Sequence, residues 1–181
     1  TVEAKPGTGN FTDSSQSLGN KYSNSNGVFL GDIDGDGDLD AFVTGSNQVW
    51  LNDGSSNFTE LSQVMSNNYS KTASLGDVDG DGDLDAFVTN GIDPNKVWLN
   101  DGSGKFTDSS QSLGDSGSQA VSLGDVDGDG DLDAFVVNFN NNEVWLNDGS
   151  SKFTDSSQSL GNKYSNGVFL GDIDGDGDLD A

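Results

Sequence analysis

Clustered aspartates are the residues of this chain whose types and spacing could do chemistry. One undecapeptide, Gly-Asp-(Ile/Val)-Asp-Gly-Asp-Gly-Asp-Leu-Asp-Ala, occurs four times and begins at Gly31, Gly76, Gly124 and Gly171. Five carboxylates within nine residues repel one another, so the segment folds compactly only when a multivalent cation offsets their charge. Carboxylates without a His or Cys partner select a hard cation, and calcium tolerates high ligand counts and irregular geometry better than magnesium does. The sequence therefore predicts calcium, with about four ions per chain, one for each loop.

Each copy can be numbered from its first aspartate, so that the first loop runs from Asp32 at position 1 to Asp40 at position 9. Carboxylates at positions 1, 3, 5 and 9 are expected to face the ion, and Asp38 at position 7 to offer its backbone carbonyl. Alternation directs Ile33 and Leu39 away from the ion and into the core. Glycines at positions 4 and 6 permit the backbone angles that carry the chain around a cation.

A repeat extends beyond the loops, which start 45, 48 and 47 residues apart, and the unit is about 47 residues long. Each unit predicts four short strands bounded by Gly, Asn, Asp and Ser: one before the loop, one after it, one carrying Val-Trp-Leu, and a serine-rich outer strand, Phe-Thr-Asp-Ser-Ser-Gln-Ser-Leu. Second and third strands that are apolar at consecutive positions predict cover on both faces. The change from apolar inner strands to a serine-rich outer strand, repeated in every unit, favours an all-β protein, a β-propeller of four-stranded blades. The predicted first strands are 28–31, 73–76, 120–124 and 168–171, the second 41–44, 86–89 and 134–137, and the third 48–52, 96–100 and 143–147.

Two other calcium motifs share part of the loop pattern. An EF-hand requires Glu at position 12, where this chain has Val43, Val88 and Val136, so that interpretation fails. Thrombospondin-type calcium repeats share the aspartate spacing, but they are rich in cysteine and lack the Val-Trp-Leu strand. The loop and its flanking strands instead resemble the FG-GAP (integrin α-subunit-like) propeller repeats, also described as VCBS repeats, whose opening matches Phe29-Leu-Gly-Asp32 and Phe169-Leu-Gly-Asp172.

This resemblance implies a propeller whose calcium ligands are the loop aspartates. By that similarity the ligands are Asp32, Asp34, Asp36, Asp38 and Asp40; Asp77, Asp79, Asp81, Asp83 and Asp85; Asp125, Asp127, Asp129, Asp131 and Asp133; and Asp172, Asp174, Asp176, Asp178 and Asp180.

The predicted domain organisation is one propeller with three complete blades and a split fourth. Residues 27–71, 72–118 and 119–166 are the complete blades; 1–26 supply the outer strands of the split blade, with Val2-Glu-Ala-Lys5 in place of Val-Trp-Leu-Asn, and 167–181 supply its first strand and loop. Integrin-like propellers usually close with seven blades. The alternatives are a self-closed four-bladed ring, pairing between chains into a ring or filament, and a piece of a longer propeller. We expect either of the last two rather than a self-closed monomer.

Composition narrows the function classes. The net charge is −24, with 7 Lys and no Arg, and this balance argues against nucleic acid or an anionic membrane as partner. The longest apolar runs of four or five residues predict no membrane insertion. Without His or Cys the usual nucleophile and base pairs cannot be assembled, and the carboxylates are engaged as ligands. We therefore expect a protein that is not an enzyme.

Calcium sites of this kind fill reliably at the millimolar concentrations of extracellular fluid, so we expect a secreted or cell-surface protein. The leading hypothesis is a structural or adhesive repeat whose partner is itself. The alternative is a lectin-like or protein-binding module for extracellular glycans or surface proteins, read by the variable segments 66–71, 90–95, 115–118 and 138–142. Once-per-unit Trp50, Trp98 and Trp145 favour packing between blades over ligand stacking. Sequons at Asn10, Asn57 and Asn68 are glycosylation candidates in a chain so rich in Asn and Ser that chance explains them equally well.

Overall fold

Strands account for the regular structure of the computed structural model, which describes residues 2–4, 11–18, 25–63, 65, 69–114, 117–161 and 164–181. Within these ranges there are fourteen strands and no helix, which confirms the all-β prediction. The strands are β1 (Val2–Ala4), β2 (Phe11–Asp13), β3 (Gly27–Gly31), β4 (Asp40–Thr44), β5 (Gln48–Asn52), β6 (Phe58–Glu60), β7 (Ser70–Gly76), β8 (Asp85–Asn90), β9 (Lys96–Asn100), β10 (Phe106–Asp108), β11 (Ser118–Gly124), β12 (Asp133–Asn138), β13 (Glu143–Asn147) and β14 (Phe153–Asp155).

Three four-stranded antiparallel sheets follow one another along the chain, in the orders β3-β4-β5-β6, β7-β8-β9-β10 and β11-β12-β13-β14. Each sheet is a meander, because every strand pairs with the next one in sequence. The third strands have the predicted bounds, and the second strand β4 is buried along its whole length. We call each sheet with its loop a unit.

The fourth strands are shorter than predicted. Each spans three residues, such as Phe106–Asp108, and the serines that follow leave the sheet. The cause is local: the carboxylate of Asp108 accepts the N–H of Ser110 at 2.7 Å, and Ser110 has a φ of 66°. Such an aspartate-centred turn competes with the sheet ladder, so the prediction of an eight-residue outer strand is wrong.

The apolar core lies between neighbouring sheets. Phe42 of the first unit meets Phe106 of the second edge to face, with ring centroids 5.5 Å apart, and Phe87 meets Phe153 of the third unit at 5.3 Å. Trp98 is buried in the first of these two cores, as the packing interpretation expects. Fully burying one such aromatic side chain contributes about 1.5–3 kcal/mol, so each junction between units is a main source of stability.

The last residue of each first strand is a glycine that lets the next unit approach closely. A Cβ on Gly31 would lie 2.7 Å from Leu84 Cδ1, and one on Gly76 would lie 2.7 Å from Leu132 Cδ1. Both leucines occupy loop position 8. The prediction that position 8 enters the core is therefore right for Leu84 and Leu132, which pack against the preceding unit. It is wrong for Leu39, which is 56% exposed because no glycine of the described residues covers it.

Residues 164–181 pack against the third sheet without forming a strand. The predicted first strand 168–171 is wrong, since the segment makes one isolated bridge, Gly171 with Asp180. A ladder needs consecutive paired residues, and this bridge joins a single pair. Leu170 and Leu179 nevertheless contact Gly124, as the equivalent leucines do elsewhere.

The hairpin of β1 and β2 has the pairing of a third and fourth strand. Val2 pairs with Asp13 and Ala4 with Phe11, while in the first unit Trp50 pairs with Glu60. Val2 therefore stands at the tryptophan position, and the predicted alignment of Val2-Glu-Ala-Lys5 with Val-Trp-Leu-Asn is wrong by one residue. The connection after Ala4 is one residue longer than in the other units, and counting backwards from Phe11 misses that insertion.

Candidate metal sites

Each aspartate loop is fixed at both ends by a strand pair. The first loop starts at Asp32, directly after β3, and ends at Asp40, the first residue of β4. Gly31 pairs with Asp40 across the sheet, so the loop is closed by its own hairpin. The same arrangement recurs between β7 and β8 and between β11 and β12, and the bridge of Gly171 with Asp180 closes the fourth loop.

The two glycines of each loop shape its backbone as the sequence predicts. Those at positions 4 and 6 have positive φ in all four loops, from 75° at Gly35 to 99° at Gly177, a region that glycine enters without steric cost. The N–H at position 6 donates to Oδ2 of the aspartate at position 1, at 3.0 Å for Gly37 and Asp32. The other three loops repeat this bond, so all four make the same turn around position 1.

Three carboxylates of each loop converge, with one oxygen from each lying within 4.8 Å of the others. Positions 1 and 3 belong to every group, and the third member is position 5 in the first loop and position 9 in the others. The groups are Asp32, Asp34 and Asp36; Asp77, Asp79 and Asp85; Asp125, Asp127 and Asp133; and Asp172, Asp174 and Asp180. The predicted ligands outside these groups are Asp38, Asp40, Asp81, Asp83, Asp129, Asp131, Asp176 and Asp178.

Burial and mutual repulsion raise the pKa of four of the converging carboxylates. The pKa of Asp34 and that of Asp79 are raised first by burial and then by neighbouring aspartates. Burial raises the pKa of Asp85 to about 6 and shifts that of Asp133 in the same direction, although backbone N–H donors oppose both shifts. Within the part of the chain that the structure describes, Asp32 Oδ1 is buried without a hydrogen-bond partner. These are the properties of carboxylates that lack a counter-charge.

The aspartate at position 9 also ties its loop to the third strand. Oδ2 of Asp85 accepts the N–H of Val78 at 3.0 Å, and Oδ1 accepts the N–H of Asn100 in β9 at 2.8 Å. Asp40 and Asp133 make the same two bonds in their units. Position 9 therefore serves the sheet as well as the carboxylate group, and its place before an apolar strand was the sequence signal for burial.

The aspartate at position 7 points elsewhere. The carboxylates of Asp38, Asp83 and Asp131 lie against Gly54, Gly102 and Gly149, in the turns that connect third and fourth strands. A side chain on any of these glycines would collide with the carboxylate. This orientation is compatible with the prediction that position 7 offers its backbone carbonyl to an ion.

Sequence reasoning missed the asparagine that ends each Val-Trp-Leu strand. Nδ2 of the buried Asn100 donates to Ile33 O in the loop of the preceding unit at 2.8 Å and to Leu84 O in its own loop at 3.2 Å. Asn147 repeats both bonds, at 2.8 Å to Val78 O and 3.2 Å to Leu132 O. One amide thus joins two successive loops. Its recurrence in all three units was the available signal.

A glutamine in the serine-rich segment, also missed, joins each unit to the next one. Gln63 Oε1 accepts the N–H of Phe106 at 2.9 Å, and its Nε2 donates to Gly104 O at 2.8 Å. Gln111 binds Phe153 and Ser151 of the third unit in the same way. The signal was again a polar residue repeated at one place in every unit.

The donor set of each loop fits a hard cation. It consists of carboxylate oxygens held close together, with a raised pKa at Asp34, Asp79, Asp85 and Asp133 and, in the first loop, a buried oxygen that lacks a partner. A bound cation would supply the missing counter-charge and lower those pKa values. The geometry is thus compatible with one ion in each loop.

Repeated four-stranded antiparallel sheets, each with an acidic loop between its first and second strands, define a β-repeat protein. A family model described as FG-GAP-like repeat matches residues 4–43, 77–136 and 125–181, which is well over half of the chain. The chain therefore belongs to the FG-GAP-like repeat family. A comparison with curated proteins finds no match.

Other predicted sites lie partly outside the described ranges. Asn10 and Asn68 are outside them, as are residues 66–68 and 115–116 of the variable segments. Asn57 is exposed, and its amide nitrogen donates to Asp53 Oδ2 at 2.9 Å. Among the described residues, no helix is long and apolar enough to cross a membrane.

Proposed function

We propose that this chain is a calcium-stabilised extracellular repeat protein with a structural or adhesive role, and that it associates with further copies of itself. The observation that carries the proposal is the position of the loops at the junctions between sheets. Ile33, next to two aspartates of the first group, is buried in the core that the first and second units share. A cation that orders the loop would therefore also hold this core together.

Calcium is the proposed ion because the groups contain oxygen donors alone and the chain has no His or Cys. A ligand that binds the folded chain and not the unfolded one stabilises it by about 2.7 kcal/mol at a hundredfold excess over its dissociation constant. Four such sites would offset a core confined to thin junctions. The millimolar calcium of extracellular fluid suits exposed acidic loops, which supports an extracellular location.

A propeller arrangement is proposed for the sheets. The first strands of the three units and residues 168–169 line one groove of about 440 Å³, as innermost strands do around a central axis. A non-enzymatic role is part of the proposal, because the converging carboxylates of the loops are those that would hold ions. Family membership supports the repeat architecture and leaves the ligand open.

Thermal unfolding with and without a chelator tests the calcium role. We expect EGTA to lower the melting temperature steeply. Calorimetric titration of the metal-free chain with calcium should give a stoichiometry that approaches four ions per chain. Asp79→Asn should weaken one site, while the matched control Asp101→Asn, at an exposed turn aspartate outside the loops, should leave calcium binding unchanged. A melting temperature that ignores EGTA would refute the proposal.

Glycan binding is the second candidate, favoured by a groove with two exposed aromatic side chains, Tyr69 and Phe139. Tyr69, Ile92 and Phe139 line a groove of about 340 Å³ together with Lys71 and Asn26. Tyr69 has a φ of 88°, an uncommon conformation for a side chain of this size. Aromatic faces beside polar groups suit sugar rings. A glycan array should then give hits that Tyr69→Ala abolishes, and an array without hits would remove this candidate.

A further inference from the structure

At each junction between units, two leucines of one unit contact a glycine of its neighbour. One glycine and one pair of leucines make no such contact. Gly31 receives Leu75 and Leu84 of the next unit, and Gly76 and Gly124 receive the equivalent pairs. Gly171 has no atom of the described residues within 4 Å of an added Cβ. In the first unit, the equivalent leucines Leu30 and Leu39 are 60% and 56% exposed. One glycine without leucines and one leucine pair without a glycine therefore remain, and together they could form the contact seen at the other junctions.

The apolar residue at loop position 2 shows the same pattern. Ile33 and Val78 are each 1% exposed, because the following unit covers them and its asparagine binds their carbonyl groups. Ile173, at the same position of the fourth loop, is 78% exposed. The first unit has the corresponding asparagine, Asn52, whose Nδ2 reaches Leu39 O of its own loop. The surface that would cover Ile173 thus exists on the first unit.

A third open feature lies beside the third sheet. Gln158 is exposed, whereas the equivalent Gln63 and Gln111 each hold the backbone of the next fourth strand. It borders a groove of about 510 Å³ that is also lined by Val126, Phe135, Val144 and Leu160. The equivalent residues in the second unit are Val78, Phe87, Val97 and Leu113, and they form the core that holds Phe153. The groove therefore has the side chains that, in the second unit, enclose the phenylalanine of the next fourth strand.

The hairpin of β1 and β2 has the sequence and pairing that fit this groove. Phe11-Thr-Asp13 is identical to Phe153-Thr-Asp155, and the pairing of Val2 with Asp13 repeats that of Trp50 with Glu60. Gln16, which follows the hairpin, accepts the N–H of Phe58 at 2.9 Å, as Gln63 does for Phe106. The hairpin thus stands as the third and fourth strands of a unit that precedes the first sheet.

Residues 167–181 are the other part of such a unit. The loop aspartates at position 9 use Oδ1 to accept an N–H from the third strand, at 2.8 Å in each complete unit. Asp180 keeps the Oδ2 bond to Ile173 N, at 2.9 Å. By the observed register, Ala4 holds the place of Asn52, so its N–H is the donor that matches Asp180 Oδ1.

We infer that a second copy of this chain docks head to tail: its β1–β2 hairpin enters the groove beside Gln158 and completes a sheet with residues 167–181, while its Leu30 and Leu39 cover Gly171. This inference rests on the proposed function, because the docked loop is the fourth metal loop. The new interface repeats the leucine–glycine and glutamine contacts of the two junctions inside the chain and requires no contact of a new kind, although Ala4 at the asparagine position leaves out one amide bridge. It is heterologous, and it produces a ring if the rotation closes and a filament if it does not.

The test uses the full chain in saturating calcium at moderate salt, since both copies are strongly acidic and salt screens their repulsion. Analytical ultracentrifugation should show a mass that rises above one chain with concentration. Leu30→Asp blocks one surface and Gly171→Val the other, and each variant should sediment as a monomer. Its melting temperature should be near that of the wild type at a dilution at which the wild type is also a monomer. Ile92→Asp is the control: Ile92 is 61% exposed, as Leu30 is at 60%, but it lies in the β8–β9 turn. It should leave the assembly unchanged.

Mixing the two monomeric variants is the sharpest measurement. The Gly171→Val chain keeps its leucine surface and the Leu30→Asp chain keeps its glycine surface, so the mixture should form a 1:1 dimer and nothing larger. A symmetric interface would not produce this result. If either variant fails to fold, Leu30→Cys and Gly171→Cys chains provide a second measurement, because the protein has no native cysteine and oxidation should cross-link one chain of each kind.

A wild-type chain that stays monomeric at every concentration overturns the inference, whether its hairpin is free or docks within the same chain. So does a mixture that forms no dimer. Chelation distinguishes this failure from failure of the proposed function. A monomer whose melting temperature still falls in EGTA refutes the head-to-tail contact alone, whereas a chain whose melting temperature is the same with and without EGTA refutes the calcium role.

Discussion

The amide of Asn100 should be worth more to stability than that of its counterpart Asn52, although both end the same Val-Trp-Leu-Asn strand. Asn100 is 4% exposed and makes three side-chain bonds: to Ile33 O and Leu84 O through Nδ2 and from Gly104 N through Oδ1, at 3.0 Å for the last. Asn52 donates to Leu39 O at 3.2 Å. The Val-Trp-Leu-Asn run and the three residues after the asparagine are the same in both units, so two differences remain: the preceding unit, which supplies Ile33 O, and Gly104, which stands where the first unit has Ser56.

The magnitude follows from the number of bonds. A typical intramolecular hydrogen bond contributes about 1 kcal/mol net, so Asn100→Ala should lower the free energy of unfolding by about 3 kcal/mol and Asn52→Ala by about 1 kcal/mol. In a protein of this length 1 kcal/mol shifts the melting temperature by about 2–4 °C, which predicts a loss of about 6–12 °C for Asn100→Ala. Asn100→Asp should cost more than Asn100→Ala, since a carboxylate would face two carbonyl oxygens.

Thermal and urea unfolding in saturating calcium measure these differences. Since Asn100 also joins the first two metal loops, calcium titration of Asn100→Ala should show two weakened sites, whereas Asn52→Ala should affect one at most. Equal losses of stability for the two alanine variants would show that the amide bridge between units is not a source of stability, and the reasoning would be wrong.

Three further predictions concern packing, pH and the glutamine contacts. Gly76→Val should destabilise the chain in urea unfolding because its Cβ meets a leucine at 2.7 Å, while Gly171→Val should be neutral in the monomer; equal effects would contradict the packing argument. In EGTA the pKa of Asp85, about 6 against 3.8 for the free group, makes its ionised form the destabilising one. Stability should therefore fall as pH rises from 4 through 6, and Asp85→Asn should flatten that slope in pH-dependent melts, a change whose absence would refute the assignment. Gln63→Ala should lower the melting temperature of the monomer and Gln158→Ala should not, whereas the reverse order would exclude the glutamine contact between units.

Several features of the fold could be predicted from the sequence because their causes are local. The bounds of the third strands follow from a Val-Trp-Leu run that must be covered on both faces, and the positive φ of Gly35 follows from a loop that turns within nine residues. Convergence of the aspartates at positions 1 and 3 follows from the same turn. The outer strand was wrong because an aspartate-centred turn at Asp108 competes with the ladder, a choice that strand periodicity does not reveal.

The sequence by itself determined the repeat, the all-β class and the acidic loops, since each depends on residues that are neighbours along the chain. The tertiary structure decided which equivalent residues are buried: Leu84 lies against a glycine and Leu39 is exposed, although their loops are almost identical. It also decided that Asn100 joins two loops, over 67 residues of sequence. The physical reason is that these contacts form between units, so their presence depends on the neighbour and not on the repeat itself.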